Sequence, residues 1–267
     1  MSKINNAIKE VHRLSELAAQ DKWLNRVHPL SKLLVTVLFI TLVVSFSKYN
    51  MTGLSGMVLY LIVLFVVGEI SFTDSIKRLR IVIPIVCFIG IVNPFFDTQI
   101  VTRFGDIGIS GGIISMMTLI IKGVFTVLAS YLLIVTTPIE QICYALRLLH
   151  LPKIMVTVIL LIYRYITLFL EEVEKLSQAY ALRAPGQKGI SWKAWGPLVG
   201  QLLLRSMDRA EHVYESMCMR GYHGEFYYGN NRSFQLGDLA YLLIWVMVLI
   251  VIRAVPLFML VGQMFTR

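Results

Sequence analysis

Two arginines at the ends of helical stretches are the residues of this sequence best suited to chemistry on a partner. One lies in Ala181-Leu182-Arg183-Ala184-Pro185-Gly186, the other in Cys218-Met219-Arg220-Gly221-Tyr222. Pro185 biases Ala184 away from helical angles, and Gly221 can take the left-handed conformation that ends a helix, so each arginine falls in a last turn. A cation there gains about 0.3–1 kcal/mol from the helix dipole, and a simple cap is the plainest use of either residue alone. A guanidinium also presents five donors in a planar fork. That fork grips a carboxylate or carbonyls on another molecule in a way lysine cannot copy.

Other chemistries find no support in the residue pattern. The chain has no Gly-x-x-x-x-Gly-Lys-Ser/Thr loop, so hydrolysis of ATP by the usual phosphate-binding loop is not expected and any energy must come from a partner. His12, His28, His150, His212 and His223 make no paired ligand spacing with Cys87, Cys143 and Cys218, so neither a bound metal nor another cofactor is expected. The histidines read as interfacial or capping side chains. The cysteines fall in or beside helices expected in the membrane or cytosol, where disulfides are rare, and read as packing residues.

The elements that must position the two arginines belong to a membrane protein. Of the 267 residues, 57% are hydrophobic and the mean hydropathy is +0.70, whereas soluble globular chains run at about 45–50% apolar. Four stretches approach the ~20 apolar residues a spanning helix needs: roughly 53–70, 81–96, 112–136 and 237–262, with 33–47 as a shorter fifth. The fold class expected is an all-α integral membrane protein of about five spans.

The net charge of +9 follows from topology. With the N-terminus in the cytoplasm, Lys3, Lys9, Arg13, Lys22, Arg26 and Lys32 lie inside, as do Lys77, Arg78 and Arg80 after the second span. Eleven more basic residues between Arg147 and Arg232 join them. Only Lys48, Arg103 and Arg267 are left outside, with Lys122 and Arg253 in spans, as the rule that cytoplasmic loops gather Lys and Arg demands. Nucleic acid is therefore not expected as a partner. Met1 to Gln20 is polar and amphipathic, unlike a cleavable signal peptide.

No internal repeat is visible, and three parts are expected: 1–136 with the first four spans, a cytoplasmic helical module at 137–236, and a last span in 237–267. Residues 4–24 read as an amphipathic surface helix, and His28-Pro29-Leu30-Ser31-Lys32 as the break that starts the first span. The loop from Asp97 to Ser110, with Asp97 and Asp106, is the sizeable external segment. Residues 154–170 are apolar but carry Arg164 near their centre, which would cost ~2.5–3.5 kcal/mol in a spanning helix. They read instead as a helix at the inner membrane face whose continuation, from Glu171, Glu172 and Glu174 onwards, enters the cytosol. Residues 192–220 form a second long helix. On it Leu203, Ser206, Ala210, Val213 and Met217 recur at spacings of three and four, a narrow seam with small residues at its middle that suits a helix crossing. Arg205, Asp208, Arg209 and Glu211 can pair within the turn.

The run Arg205-Ser206-Met207-Asp208-Arg209-Ala210-Glu211-His212-Val213-Tyr214, continuing to Met219-Arg220-Gly221-Tyr222, closely resembles the transmembrane component of energy-coupling factor transporters, the CbiQ/EcfT family. So do Thr136-Thr137-Pro138, Leu151-Pro152, Tyr163-Arg164-Tyr165 and Leu30-Ser31-Lys32-Leu33-Leu34. The resemblance implies coupling helices that cross and end in two Ala-Arg-X signatures, which dock on a pair of cytoplasmic ATP-binding cassette subunits. Here the signatures map to Leu182-Arg183-Ala184 and Met219-Arg220-Gly221, where Leu182 and Met219 replace the alanines. It also implies a non-catalytic subunit of the prokaryotic plasma membrane and a substrate-binding membrane partner of the CbiM type. Details such as Arg-Ser-Met-Asp-Arg-Ala-Glu look more like the cobalt and nickel branch than the vitamin branch. Lys122 is then either a packed, paired lysine or a residue at the interface with the substrate-binding subunit. The competing class, a self-contained secondary transporter, should show inverted repeats and several ionisable groups at mid-membrane. Only Lys122 qualifies.

Overall fold

The structure, a computed structural model, describes residues 2–96, 100–104, 107–187, 189–224 and 234–254. In chain order its helices are α1 (Ser2–Ala18), α2 (Trp23–Arg26), α3 (Pro29–Ser45), α4 (Met51–Gly56), α5 (Val58–Gly68), α6 (Phe72–Gly90), α7 (Asn93–Phe96), α8 (Gly111–Thr136), α9 (Ile139–Leu148), α10 (Lys153–Arg183), α11 (Trp192–Met219) and α12 (Leu236–Ala254). A hairpin of β1 (Ile100–Phe104) and antiparallel β2 (Ile107–Ser110) occupies the loop before α8. The chain is an all-α integral membrane protein, with this small hairpin the one sheet among the described residues. It divides into two units, Met1–Leu17 with Ile139–Asn231, and Ala18–Pro138 with Arg232–Arg267.

The second of these units holds all but one of the long apolar helices. Among the described residues three helices are long and apolar enough to cross a bilayer, α8 and α12 here and α10 in the other unit, while Pro29–Ser45 and Gly53–Gly68 are shorter apolar helices. α3 begins at a made-to-fit start: the His28 ring Nδ1 accepts the Leu30 N–H at 3.2 Å, and Pro29 supplies the first helical residue. The expected second span is split at Met57 into α4 and α5, and Glu69, left-handed at φ 47°, ends it. The expected third span, 81–96, is the second half of α6 followed by α7. Lys77, Arg78 and Arg80, expected in a loop, lie inside α6, because straight-chain basic residues are good helix formers and a helix need not start at the membrane boundary. Arg78 rests 4.6 Å from the Tyr131 ring centre on α8. The end of the expected last span beyond Ala254, together with Asp97, Asp106, Arg232 and Arg267, lies outside the described residues.

Its core is aromatic and tight. Tyr60 stacks on Phe39 with ring centres 4.4 Å apart and meets Trp245 edge-on at 4.8 Å, joining α3, α5 and α12. Val35, Val43, Leu128, Leu132 and Leu249 close around them. Lipid tails are as apolar as these side chains, so close packing and not exclusion of water holds spanning helices together. Gly123 shows how close the approach is: a Cβ there would come within 3.1 Å of Val86 of α6.

The first unit comprises α1, α9, α10 and α11. α9 and α10 meet at a sharp joint in which His150 is left-handed at φ 62° and Pro152 precedes the first residue of α10. α10 then runs for 31 residues with no glycine or proline to interrupt it, so the apolar stretch 154–170 and the acidic stretch after it are one rod. α1 is tied to this rod by a hydrogen bond between the hydroxyls of Ser15 and Tyr163.

Candidate functional site

The two arginine ends are built by different stops. Arg183 is the last residue of α10, and the Ala184 N–H still reaches the Tyr180 carbonyl at 3.0 Å. The Tyr180 hydroxyl then donates to Gln187 Oε1 at 2.8 Å and lies 3.2 Å from Ser191 Oγ, while Gly186 turns the chain at φ 94°. Arg220 caps α11 one residue past its end. The Tyr222 N–H bonds the Met217 carbonyl and the Gly221 N–H bonds the Cys218 carbonyl, both at 3.0 Å, with Gly221 at φ 80°. That pair of bonds around a left-handed residue is the Schellman stop, which satisfies two of the orphan carbonyls of the helix end.

Both guanidinium groups are exposed, and neither has a hydrogen-bond or ion-pair partner among the described residues. Beside them Leu182 and Met219 are 84% and 83% exposed. Each tip therefore offers a free five-donor fork next to an apolar side chain, and Ala184 and Gly221 add little bulk. A polar partner surface with a shallow apolar patch is what such a tip can engage.

Between the tips, α10 and α11 pack over part of their length. Arg205 of α11 donates to the Glu172 carboxylate of α10, a bond to the neighbouring helix where pairing within its own turn was expected. Around this pair an apolar groove of about 550 Å³ is lined by Leu161, Tyr165 and Phe169 of α10 and by Ser206, Ala210, Val213 and Met217 of α11. A more polar cleft of about 840 Å³ adjoins it, lined in part by Arg164, Arg209 and Arg220. Four of the five seam residues thus share one face, and Leu203, 60% exposed, does not line the groove. The seam lines an open groove. No residue of α11 is buried.

Lys122 is engaged by its own chain. Its Nζ donates to the Val44 carbonyl at 2.9 Å and to the Phe46 carbonyl at 2.5 Å, at the C-terminal end of α3. Arg253 of α12 comes to the same end: it donates to the Ser45 carbonyl at 3.2 Å, and its guanidinium sits 4.0 Å from the centre of the Phe46 ring.

Sequence reasoning did not single out the buried polar layer at the opposite end of α3. Lys32, 3% exposed, donates to the Thr136 carbonyl at 2.8 Å. Asp238 accepts the His28 N–H at 2.8 Å and the Gln235 N–H at 3.0 Å, and the Ser31 hydroxyl donates to the Asp238 carbonyl at 3.2 Å. Part of the signal was present: two of the short motifs carrying the resemblance, Leu30-Ser31-Lys32 and Thr136-Thr137-Pro138, supply Ser31, Lys32 and Thr136 of this layer.

Comparison with known proteins follows the same lines. Residues 20–228 match the family model described as CbiQ, cobalt transport protein. An uncharacterized protein of Methanocaldococcus jannaschii is 27% identical over 68% of this chain and 66% of its own length. The energy-coupling factor transporter transmembrane protein EcfT of Listeria innocua is 26% identical over 76% of this chain and 82% of its own. A putative fused cobalt transport protein CbiMQ of Methanocorpusculum labreanum is 32% identical over 35% of this chain and 16% of its own.

Proposed function

We propose, from the premise that this chain belongs to the CbiQ family of cobalt transport proteins, that it is the energy-transducing membrane subunit of an ATP-driven importer. Two ATP-binding cassette subunits in the cytoplasm grip the tips at Leu182-Arg183-Ala184 and Met219-Arg220-Gly221. Nucleotide-driven closure of the ATPases displaces the tips, α10 and α11 shift against each other, and a separate substrate-binding membrane subunit of the CbiM type is reoriented. Packed interfaces with two discrete arrangements amplify small displacements in this way. The chain itself catalyses nothing, sits in a prokaryotic plasma membrane with its N-terminus in the cytoplasm, and serves the uptake of cobalt or nickel. Lys122, occupied by carbonyls of α3, belongs to the packing of the bundle in this reading.

The single observation that carries the proposal is the pair of exposed guanidinium groups, each on a firmly stopped helix end and each without a partner among the described residues. Their test is the double variant Arg183→Glu with Arg220→Glu. We expect it to insert and fold, to lose the ATPase subunits on co-purification, and to stop uptake. Normal ATPase recovery together with normal uptake would refute the handle. A second reading is a transmembrane component serving a vitamin-binding subunit, the other branch of the family that the sequence resembles; the similarity to EcfT over three quarters of the chain fits either branch. Mass-spectrometric identification of the membrane subunit that co-purifies decides between the two.

A further inference from the structure

The cations Lys122 and Arg253 come from different helices and converge on the broken end of α3, where they bind the carbonyls of Val44, Ser45 and Phe46. Neither meets a carboxylate among the described residues. Carbonyls carry only partial charge, so two positive charges stand side by side without an anion. Donors also remain: Lys122 has used two of its three N–H groups, and Arg253 keeps most of its five for a planar, bidentate acceptor. Both side chains are only half-buried.

Their depth can be read from the helices. The layer of Lys32, Thr136 and Asp238 ties the starts of α3 and α12 to the end of α8. From Thr136 back to Lys122, and from Asp238 on to Arg253, the rise is about 21–23 Å, and α3 itself is about 25 Å long at 1.5 Å per residue. The hydrocarbon of a bilayer is about 30 Å thick, so with the Lys32 layer at one of its edges both cations fall in the opposite leaflet, about 7–9 Å below its headgroups. Long basic side chains at that depth reach up to the headgroups. A phosphate group is the anion available there, and it accepts from a guanidinium fork and an ammonium together.

We infer that Lys122 and Arg253, gathered at the C-terminal end of α3, form a binding site for the phosphate of an anionic phospholipid in the leaflet opposite the Lys32 layer. The site needs a lipid with net negative charge, because two uncompensated cations must be neutralised and a zwitterionic headgroup brings its own cation.

The experiment is native mass spectrometry of the full-length chain, released from detergent after incubation with equal amounts of phosphatidylglycerol and phosphatidylcholine of matched acyl chains. Two basic groups beside one headgroup predict that phosphatidylglycerol is retained roughly tenfold or more over phosphatidylcholine. Lys122→Gln and Arg253→Gln should each reduce that preference, and the pair should abolish it, while Arg253→Lys keeps part of it. Equal retention of the two lipids by the unaltered protein would overturn the site without reliance on any variant. Undiminished preference in the double variant, confirmed as folded by its thermal melt, would overturn it too. Displacement of the lipid by millimolar inorganic phosphate would show a free-anion site and overturn the assignment to lipid.

Discussion

At the scale of single residues, the polar layer at the start of α3 is the most demanding part of the molecule. Lys32 is nine-tenths and more out of reach of solvent, and its ammonium is spent on the end of α8. Replacing it with methionine keeps the volume but leaves the Thr136 carbonyl without this donor, and Asp238→Ala removes two acceptors from the start of α12. Each change should cost on the order of 1–3 kcal/mol, read as a lower thermal midpoint in detergent, with Asp238→Asn milder than Asp238→Ala. An unchanged midpoint in both would show that the layer is not a structural tie. The arginine ends were legible from sequence because Pro185, Gly186 and Gly221 act on their immediate neighbours. The Lys32 and Asp238 ties were not, since their partners lie 104 and 210 residues away along the chain and no local pattern encodes such a pairing.

At the scale of elements, α10 and α11 repay comparison with the pattern that suggested them. Ser206, Ala210, Val213 and Met217, which recur at spacings of three and four, line one groove. The same spacings could not say how near the neighbouring helix would come, because periodicity fixes a direction and not a distance. Arg205 likewise had an equally good partner one turn away, and only the fold brings Glu172 within reach. Ala210→Phe places a ring in the groove beside Tyr165 and Phe169, where added bulk typically costs ~1–3 kcal/mol if the helices must close on it. We expect uptake to fall while ATPase subunits still co-purify, because the tips remain available. Uptake at the normal rate would mean that the groove does not change shape during transport.

At the scale of the whole molecule, the basic residues decided the topology in the sequence, and α10 is where that decision is tested. Its length and apolar character suffice to cross a bilayer, yet Arg164 sits within its apolar half and a crossing would part the basic cluster between two sides. The proposed function requires that it lie at the inner face. Single cysteines at Thr102, Gln187 and Thr266, in a background without Cys87, Cys143 and Cys218, report this through a membrane-impermeant thiol reagent on intact cells. Positions 102 and 266 should label from outside, and position 187 only after the membrane is opened. Labelling of position 187 on intact cells would put Arg183 out of reach of any cytoplasmic ATPase and end the coupling reading.

The 17 residues of α3 carry one further consequence, for the membrane itself. A helix of about 25 Å is shorter than an average hydrocarbon slab of about 30 Å, and its polar end is held inside the bundle, where tilting cannot lengthen it. We expect the bilayer to thin around it, at a fraction of a kcal/mol per ångström of mismatch. Acyl-chain length thereby becomes a control variable: in proteoliposomes of graded thickness the thermal midpoint should peak at short chains and fall steadily as they lengthen, and a curve that is flat or rises with thickness would show that the lipid does not feel this helix.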